Sequence, residues 1–248
     1  MANIMIITGG SRGIGAATAI MAAERGFDVA INFASNQAAA DAVVKAVQAK
    51  GGRAIAVKGD VANEADMLKL FDTCDQQLGK LTCLVNNAGV VDMKSRMDEQ
   101  SVARWRRMFD INVIGSFICA REAVKRMSSK HGGAGGTIVN LSSVAAKIGA
   151  GGAYVDYAAA KSAIDAFTLG LAREVATEGI RVNAIRPGII DTEIHASGGE
   201  PLKAAQAGAV VPMGRSGRAA EIAEAILWLA SPQSSYATGT VIDVSGGR

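Results

Sequence analysis

Tyr157 and Lys161 stand four residues apart in YVDYAAAKSA (154–163), within a run of alanines that favours helix. Positions i and i+4 share one helix face at a rise of roughly 6 Å, so a phenol and an ammonium can meet there. An unperturbed phenol has a pKa of about 10. A cation beside it favours phenolate, so the pKa is expected to fall toward neutrality, where the group can exchange a proton with a substrate oxygen. Tyr154 faces the same side but lies about 10.5 Å along the axis from Lys161; it fits an entrance wall as well as plain packing. Taken alone, the Tyr157–Lys161 pair also matches an ordinary packing contact with a snorkelling amine.

A second set of residues points to phosphate. TGGSRGIG (8–15) follows the apolar run IMII directly and opens an amphipathic segment. Glycines there let the backbone turn sharply and approach a diphosphate, while the amides and dipole at the helix start favour negative charge. Gly9, Ser11, Arg12, Gly13, Ile14 and Gly15 are therefore candidate cofactor contacts. In a dinucleotide fold, an acidic residue ending the second strand would bond the ribose of NAD. Here the strand ends INFASNQ (31–37), with Phe33 and Ala34 where the carboxylate would stand. Nothing repels a 2′-phosphate, and Arg12, Ser35 and Asn36 can supply charge and hydrogen bonds to one. The expected cofactor is NADP(H) rather than NAD(H).

These groups need a scaffold. Short β-branched runs (IMII, DVAINF, RAIAVK, CLVNN, TIVNL, RVNAI, TVIDV) alternate with amphipathic segments at 14–25, 37–50, 63–78, 101–127, 154–178 and 219–230. Such alternation predicts an α/β fold: one Rossmann-type doubly wound domain over 1–248, with about seven parallel strands and helices on both faces. The irregular stretch 188–218 reads as a flap over the substrate. With 49% apolar but only 4% aromatic residues, the core is built from Ala, Val, Ile and Leu.

A net charge of +3, from 26 basic and 23 acidic residues without a basic run, argues against nucleic acid. Cys74, Cys83 and Cys119 are scattered and odd in number, fitting neither a disulfide framework nor a zinc site; they read as buried small hydrophobes. Two histidines, His131 and His195, are too few and too far apart for a metal triad, so no metal is expected. No apolar window approaches a membrane span and no leader pattern is seen, so the expected compartment is the cytoplasm.

TGGSRGIG, NNAG (86–89), NLSS (140–143), YAAAK (157–161) and RPGIIDT (186–192) occur in one order along the chain. In these motifs and in their approximate spacing the sequence resembles the short-chain dehydrogenases/reductases over essentially its whole length, with members such as glucose 1-dehydrogenases and 3-oxoacyl-carrier-protein reductases. The resemblance implies Tyr157 as general acid/base and Lys161 as the group that binds the nicotinamide ribose and lowers the phenol's pKa. It also implies a serine holding the substrate oxygen and Asn112 holding a relay water. Asp60 and Val61 would flank the adenine, and Asn86, Ala88 and Gly89 would line the cofactor. Pro187, Gly188, Ile190 and Thr192 belong to the nicotinamide side, with the Thr192 hydroxyl on the carboxamide.

Because consecutive strand side chains alternate, Ser142 and Ser143 cannot both face the site if the strand continues that far; the family pattern favours Ser143. Thirteen residues separate Ser143 from Tyr157, one more than is commonest in the family, which implies a loop insertion beside the substrate. The expected reaction moves a hydride between nicotinamide and a small carbonyl or secondary alcohol. Sugar oxidoreduction and 3-oxoacyl-carrier-protein reduction remain alternatives, as does a catalytically idle NADP(H)-binding protein. The resemblance further implies a homotetramer, with Ala163, Ala166 and Gly170 allowing helices to approach closely.

Overall fold

Alternation along β1 (Asn3–Ile7) sets the layering: Ile4 and Ile6 point to one side, Met5 and Ile7 to the other, and all four are buried. A strand covered on both faces belongs to a sheet sandwiched by helices. The computed structural model describes residues 3–248. Its main sheet adds β2 (Phe27–Phe33), β3 (Ala54–Lys58), β4 (Cys83–Asn86), β5 (Gly136–Leu141) and β6 (Ile180–Pro187). Two short strands, β7 (Ile190–Asp191) and β8 (Gly217–Arg218), pair with each other, and β9 (Val241–Val244) completes the main sheet. All pairings are parallel, in the order β3-β2-β1-β4-β5-β6-β9.

Met5 and Ile7 pack with α1 (Gly13–Glu24) and α2 (Gln37–Ala49), through residues such as Ala22 and Val43. Ile4 and Ile6 face α3 (Glu64–Gln77), through Leu70 and Phe71. The segment expected as one helix over 101–127 is divided. After α4 (Val102–Phe109), residues Asp110–Ile114 form a π turn, in which the Gly115 amide donates to the Asp110 carbonyl five residues back, before α5 (Gly115–Met127) resumes. One helical turn, α6 (Ala145–Ile148), precedes the long α7 (Val155–Val175), and another, α8 (Ile194–Ser197), lies in the flap. α9 (Ala219–Ala230) covers the Met5 face through Ile222 and Ile226, opposite α5 and α7.

The chain order reverses between β1 and β4, which pair directly at Ile7 and Val85. Connections leaving these strands diverge to opposite faces, so a crevice opens beyond their C-terminal ends. The flap of 188–218 is more ordered than a loop: β7 and β8 clasp its two ends. The cysteines are buried as expected, and burial pushes each thiol up to about 12. Among the described residues no helix is long and apolar enough to cross a membrane.

Candidate active site

A cavity of about 1180 Å³ occupies the crevice. Two buried side chains fix its glycine-loop wall. Asn32 accepts from the Gly9 amide at 3.3 Å and donates to the Gly59 carbonyl at 2.8 Å, tying the loop to the end of β3. The Thr8 hydroxyl accepts from the Asn87 and Ala88 amides, each at 3.0 Å, tying it to the end of β4. Gly9 and Gly13 have φ of +61° and +53°, in the left-handed region that favours glycine. A Cβ on Gly15 would stand 2.5 Å from the Gly9 carbonyl oxygen, so this residue lets α1 abut the loop.

α1 begins with neither a side-chain cap nor an acidic residue in its first turn, leaving amides free for an anion. Gly9, Ser11, Arg12, Gly13 and Ile14 line the cavity, as do Ser35 and Asn36 beyond β2 and Asp60 and Val61 beyond β3. Gly15 stays beneath the loop as packing. Arg12 is exposed, and its guanidinium makes no ion pair with the described residues. Asn36 spends its side-chain oxygen on the Ala39 amide as the cap of α2. A diphosphate cradle with a free guanidinium at its edge fits a dinucleotide.

The NNAG segment divides otherwise than expected. Ala88 and Gly89 line the cavity, but Asn86 turns into the protein, where it donates to Asn140 Oδ1 at 2.9 Å and to the Ser116 carbonyl at 3.2 Å. Asn140 passes the bond on to Thr168, so this chain of amides joins β4, β5 and α7. It is Asn87 that reaches the cavity wall, bonded to the Thr8 and Gly9 carbonyls. The doublet conceals which asparagine faces out, because β4 ends at Asn86 and contacts distant in sequence place each side chain.

Opposite the glycine loop, α7 places Tyr157 and Lys161 on the cavity wall. Ser143 lines the cavity with Tyr157 and accepts from the Ala145 amide at 3.1 Å, while Ser142 is buried and donates to the Lys161 carbonyl at 3.1 Å. The two serines thus diverge, and the one facing the phenol is Ser143. Lys161 Nζ lies 5.7 Å from the Tyr157 ring centroid and donates to the Leu141 carbonyl at 2.7 Å. Burial lowers the Lys161 pKa to about 8, against a smaller opposing pull from Asp165.

The phenol departs from expectation. Burial raises the Tyr157 pKa, and the nearby Ser143 hydroxyl only partly offsets this. The ammonium lies over the ring and bonds a carbonyl, so desolvation prevails in this geometry.

Asn112, at the centre of the π turn, does not line the cavity. Its Oδ1 accepts from the Val90 amide and its Nδ2 donates to the Val90 carbonyl. A Cβ on Gly89 would stand 2.8 Å from Asn112 Oδ1 and 3.4 Å from Lys161 Nζ, so that glycine is required by close approach. Pro187, Gly188, Ile190 and Thr192 lead from β6 into the flap along the cavity. Between Ser143 and Tyr157 the chain forms a tight loop where Gly149, Ala150 and Gly152 all have positive φ. Ala150, at +47°, is the non-glycine among them, and it lines the cavity.

Tyr154 proves to be both packing and wall. It is buried and lines the cavity, its hydroxyl oxygen 2.9 Å from the Gly198 carbonyl. His195 Nε2 contacts the Ile190 carbonyl at 2.8 Å, inside the flap. Spacing gave no sign of the buried ion pair behind α7: Arg104 holds both carboxylate oxygens of Asp156 at 2.7 and 3.2 Å, next to Tyr157.

Comparison with known proteins agrees with this geometry. The family described as Enoyl-(Acyl carrier protein) reductase matches residues 9–248. The chain is 48% identical to the uncharacterized oxidoreductase YgfF of Escherichia coli (strain K12), over 99% of each chain. It is 34% identical to a short-chain dehydrogenase/reductase from Serratia marcescens BCRC 10948, with a TM-score of 0.91 covering 100% of this chain and 98% of that one. A blue fluorescent protein from a metagenomic library, solved in complex with NADPH, is 34% identical, with a TM-score of 0.89 over 99% of this chain and 97% of its own. This chain therefore belongs to the short-chain dehydrogenases/reductases, a family of nicotinamide-dependent oxidoreductases.

Proposed function

We propose that the protein is an NADP(H)-dependent reductase of small carbonyl compounds, with Tyr157 as the proton donor. The observation that carries this reading is the convergence of Ser143, Tyr157 and Lys161 on one wall of the cavity, with Lys161 Nζ 5.7 Å from the Tyr157 ring centroid, opposite the glycine loop. NADP(H) is favoured over NAD(H) by the unpaired Arg12 and by the lack of an acidic residue after Phe33. The relative solved with NADPH supports the same choice.

The bound dinucleotide supplies the hydride chemistry at its nicotinamide ring. Ser143 and Tyr157 hold the substrate oxygen between two hydroxyls. Burial keeps the Tyr157 phenol in its protonated form, from which it can give its proton to a carbonyl oxygen. Lys161 supports the phenol from below and has ammonium protons to offer a ribose. Asn112 acts through Val90, fixing the floor on which the reacting groups meet.

Tyr157→Phe tests the assignment. NADPH affinity, read by nucleotide fluorescence, is expected to stay near wild type, while turnover of ketones falls by roughly 10²-fold or more. Turnover near wild type in that variant would remove Tyr157 from the reaction. We further read the protein as a homotetramer joined partly through α7: a Cβ on Gly170 meets nothing within 4 Å, and Leu169 beside it is exposed. Light scattering at working concentration checks it, and a monomeric mass refutes it.

A further inference from the structure

The substrate end of the cavity carries charge for which proton transfer has no use. Glu200, on the flap, accepts through Oε2 from the Tyr154 phenol and from Lys203 Nζ, each at 2.6 Å, and pairs through Oε1 with Lys94. Burial alone would raise its carboxyl, but hydrogen bonds from Lys203, Lys94 and Tyr154 outweigh this and bring it down to about 2. It is therefore an anion at neutral pH, and it cancels only one of the two ammoniums. Arg107, also on the cavity wall, is 3.9 Å from Asp92 and leaves that balance unchanged. Within the Lys94–Glu200–Lys203 cluster one positive charge remains uncancelled, the other lining carboxylate side chains, Glu193 and Asp60, making no ion pair with either lysine.

An ammonium has three donors, and Glu200 takes one from each lysine. The Lys203 side chain is 28% exposed and that of Glu200 19%, so solvent screens the charge on Lys203 incompletely, whereas Lys94, 55% exposed, stands at the cavity mouth and is screened more. Tyr154 is the N-cap of α7, three residues before Tyr157, a rise of about 4.5 Å, and Lys203 Nζ is 5.0 Å from the Tyr154 ring centroid. Val91, Ile148 and Ile194 supply apolar lining in the same cavity.

We propose that Lys94 and Lys203 form a carboxylate-binding subsite, and that the substrate is an oxo acid whose carboxylate lies a few carbons from the carbonyl reduced at Tyr157. The inference rests on the reading of Tyr157 as proton donor, because that reading places the carbonyl end. A neutral sugar would leave the subsite's charge unmatched.

The test is calorimetric titration of the NADP⁺-loaded protein, in which no reduction occurs, with 4-oxopentanoate and with its methyl ester. The acid is expected to bind roughly tenfold or more tightly than the ester, with the advantage shrinking as salt is added. In Lys94→Met/Lys203→Met the acid-to-ester ratio falls toward one. In Glu200→Gln, which removes the competing anion while keeping the side chain's shape, the ratio rises. A purely structural latch would instead weaken both ligands alike in Glu200→Gln, which keeps the proposal testable should the double variant fail to fold.

Absence of acid binding, equal binding of acid and ester, or a ratio that these substitutions leave unmoved overturns the subsite. Reduction of the ester with NADPH reports on the reductase reading separately. Ester turnover without acid preference sinks only the subsite, whereas acid preference without any turnover sinks only the reductase.

Discussion

One carboxamide, that of Asn112, holds both backbone atoms of Val90: Oδ1 accepts from the amide at 3.1 Å and Nδ2 donates to the carbonyl at 3.0 Å. The π turn makes this possible by inserting one residue into the ladder between α4 and α5. Asn112→Ala leaves both Val90 groups and the Met108 carbonyl, 2.9 Å from Nδ2, without this partner. Each unsatisfied buried group costs about 1–3 kcal/mol, so urea unfolding should show a stability loss on the order of 2–4 kcal/mol. Weaker NADPH binding should accompany it, because Gly89 rests against Asn112. Unchanged stability would mean that the clasp is dispensable.

Arg12 stands exposed at the start of α1, lining the same cavity as Ser35 and Asn36, with no ion-pair partner among the described residues. A charge-assisted hydrogen bond to a 2′-phosphate contributes about 1.5–3 kcal/mol. Arg12→Ala should therefore lower the ratio of NADPH to NADH affinity by roughly ten- to a hundredfold. Dissociation constants for the two reduced dinucleotides check this. An unchanged ratio would assign the preference to Ser35 and the backbone instead.

The layering was legible from residues 4–7 alone, because a strand buried on both faces leaves no polar alternation. The glycine loop was legible too, since its neighbours on either side in the chain are a strand and a helix. What periodicity could not reveal depends on contacts distant in sequence. Asn86, the last residue of β4, turns inward to Asn140, which in turn bonds Thr168, while Asn87 just beyond the strand reaches the cavity wall. The π turn hides in a pattern that remains helical throughout 101–127. The raised phenol pKa escaped a reading based on Lys161 alone, because desolvation is set by the walls around Tyr157 rather than by its helix neighbour. The flap's clasp of β7 on β8 joins residues 190–191 to 217–218, too short a pairing to leave a pattern.

Lys161 makes alkaline pH informative. Burial lowers its pKa from 10.5 to about 8, so between those values the unfolded chain holds a proton that the folded protein has lost. Stability from this group rises with pH through that window and is lost as pH falls through 8, an effect of about 3 kcal/mol in full. The buried thiols and Tyr157 act with the opposite sign, because their raised values are lost as stability when pH climbs past the unfolded pKa. The wild type minus Lys161→Met difference cancels them. Measured by urea unfolding from pH 7 to 10.5, that difference should move in favour of the wild type as pH rises; a flat difference would show that Lys161 keeps an ordinary pKa.

Arg104 and Asp156 support the catalytic helix from behind. The Asp156 side chain is 2% exposed and that of Arg104 11%, and the guanidinium also donates to the Met93 carbonyl at 2.6 Å. Removing one member of such a pair leaves an uncompensated buried charge, at a cost of about 3–5 kcal/mol. Replacing both with apolar residues avoids that cost. Arg104→Leu should therefore be markedly destabilised, and Arg104→Leu/Asp156→Leu should recover much of the loss in thermal or urea unfolding. Because Asp156 immediately precedes Tyr157 in the first turn of α7, the single variant should also lose turnover beyond what its folded fraction explains. Normal turnover per folded molecule would show that Tyr157 keeps its place without the pair, leaving Arg104 and Asp156 a role in stability alone.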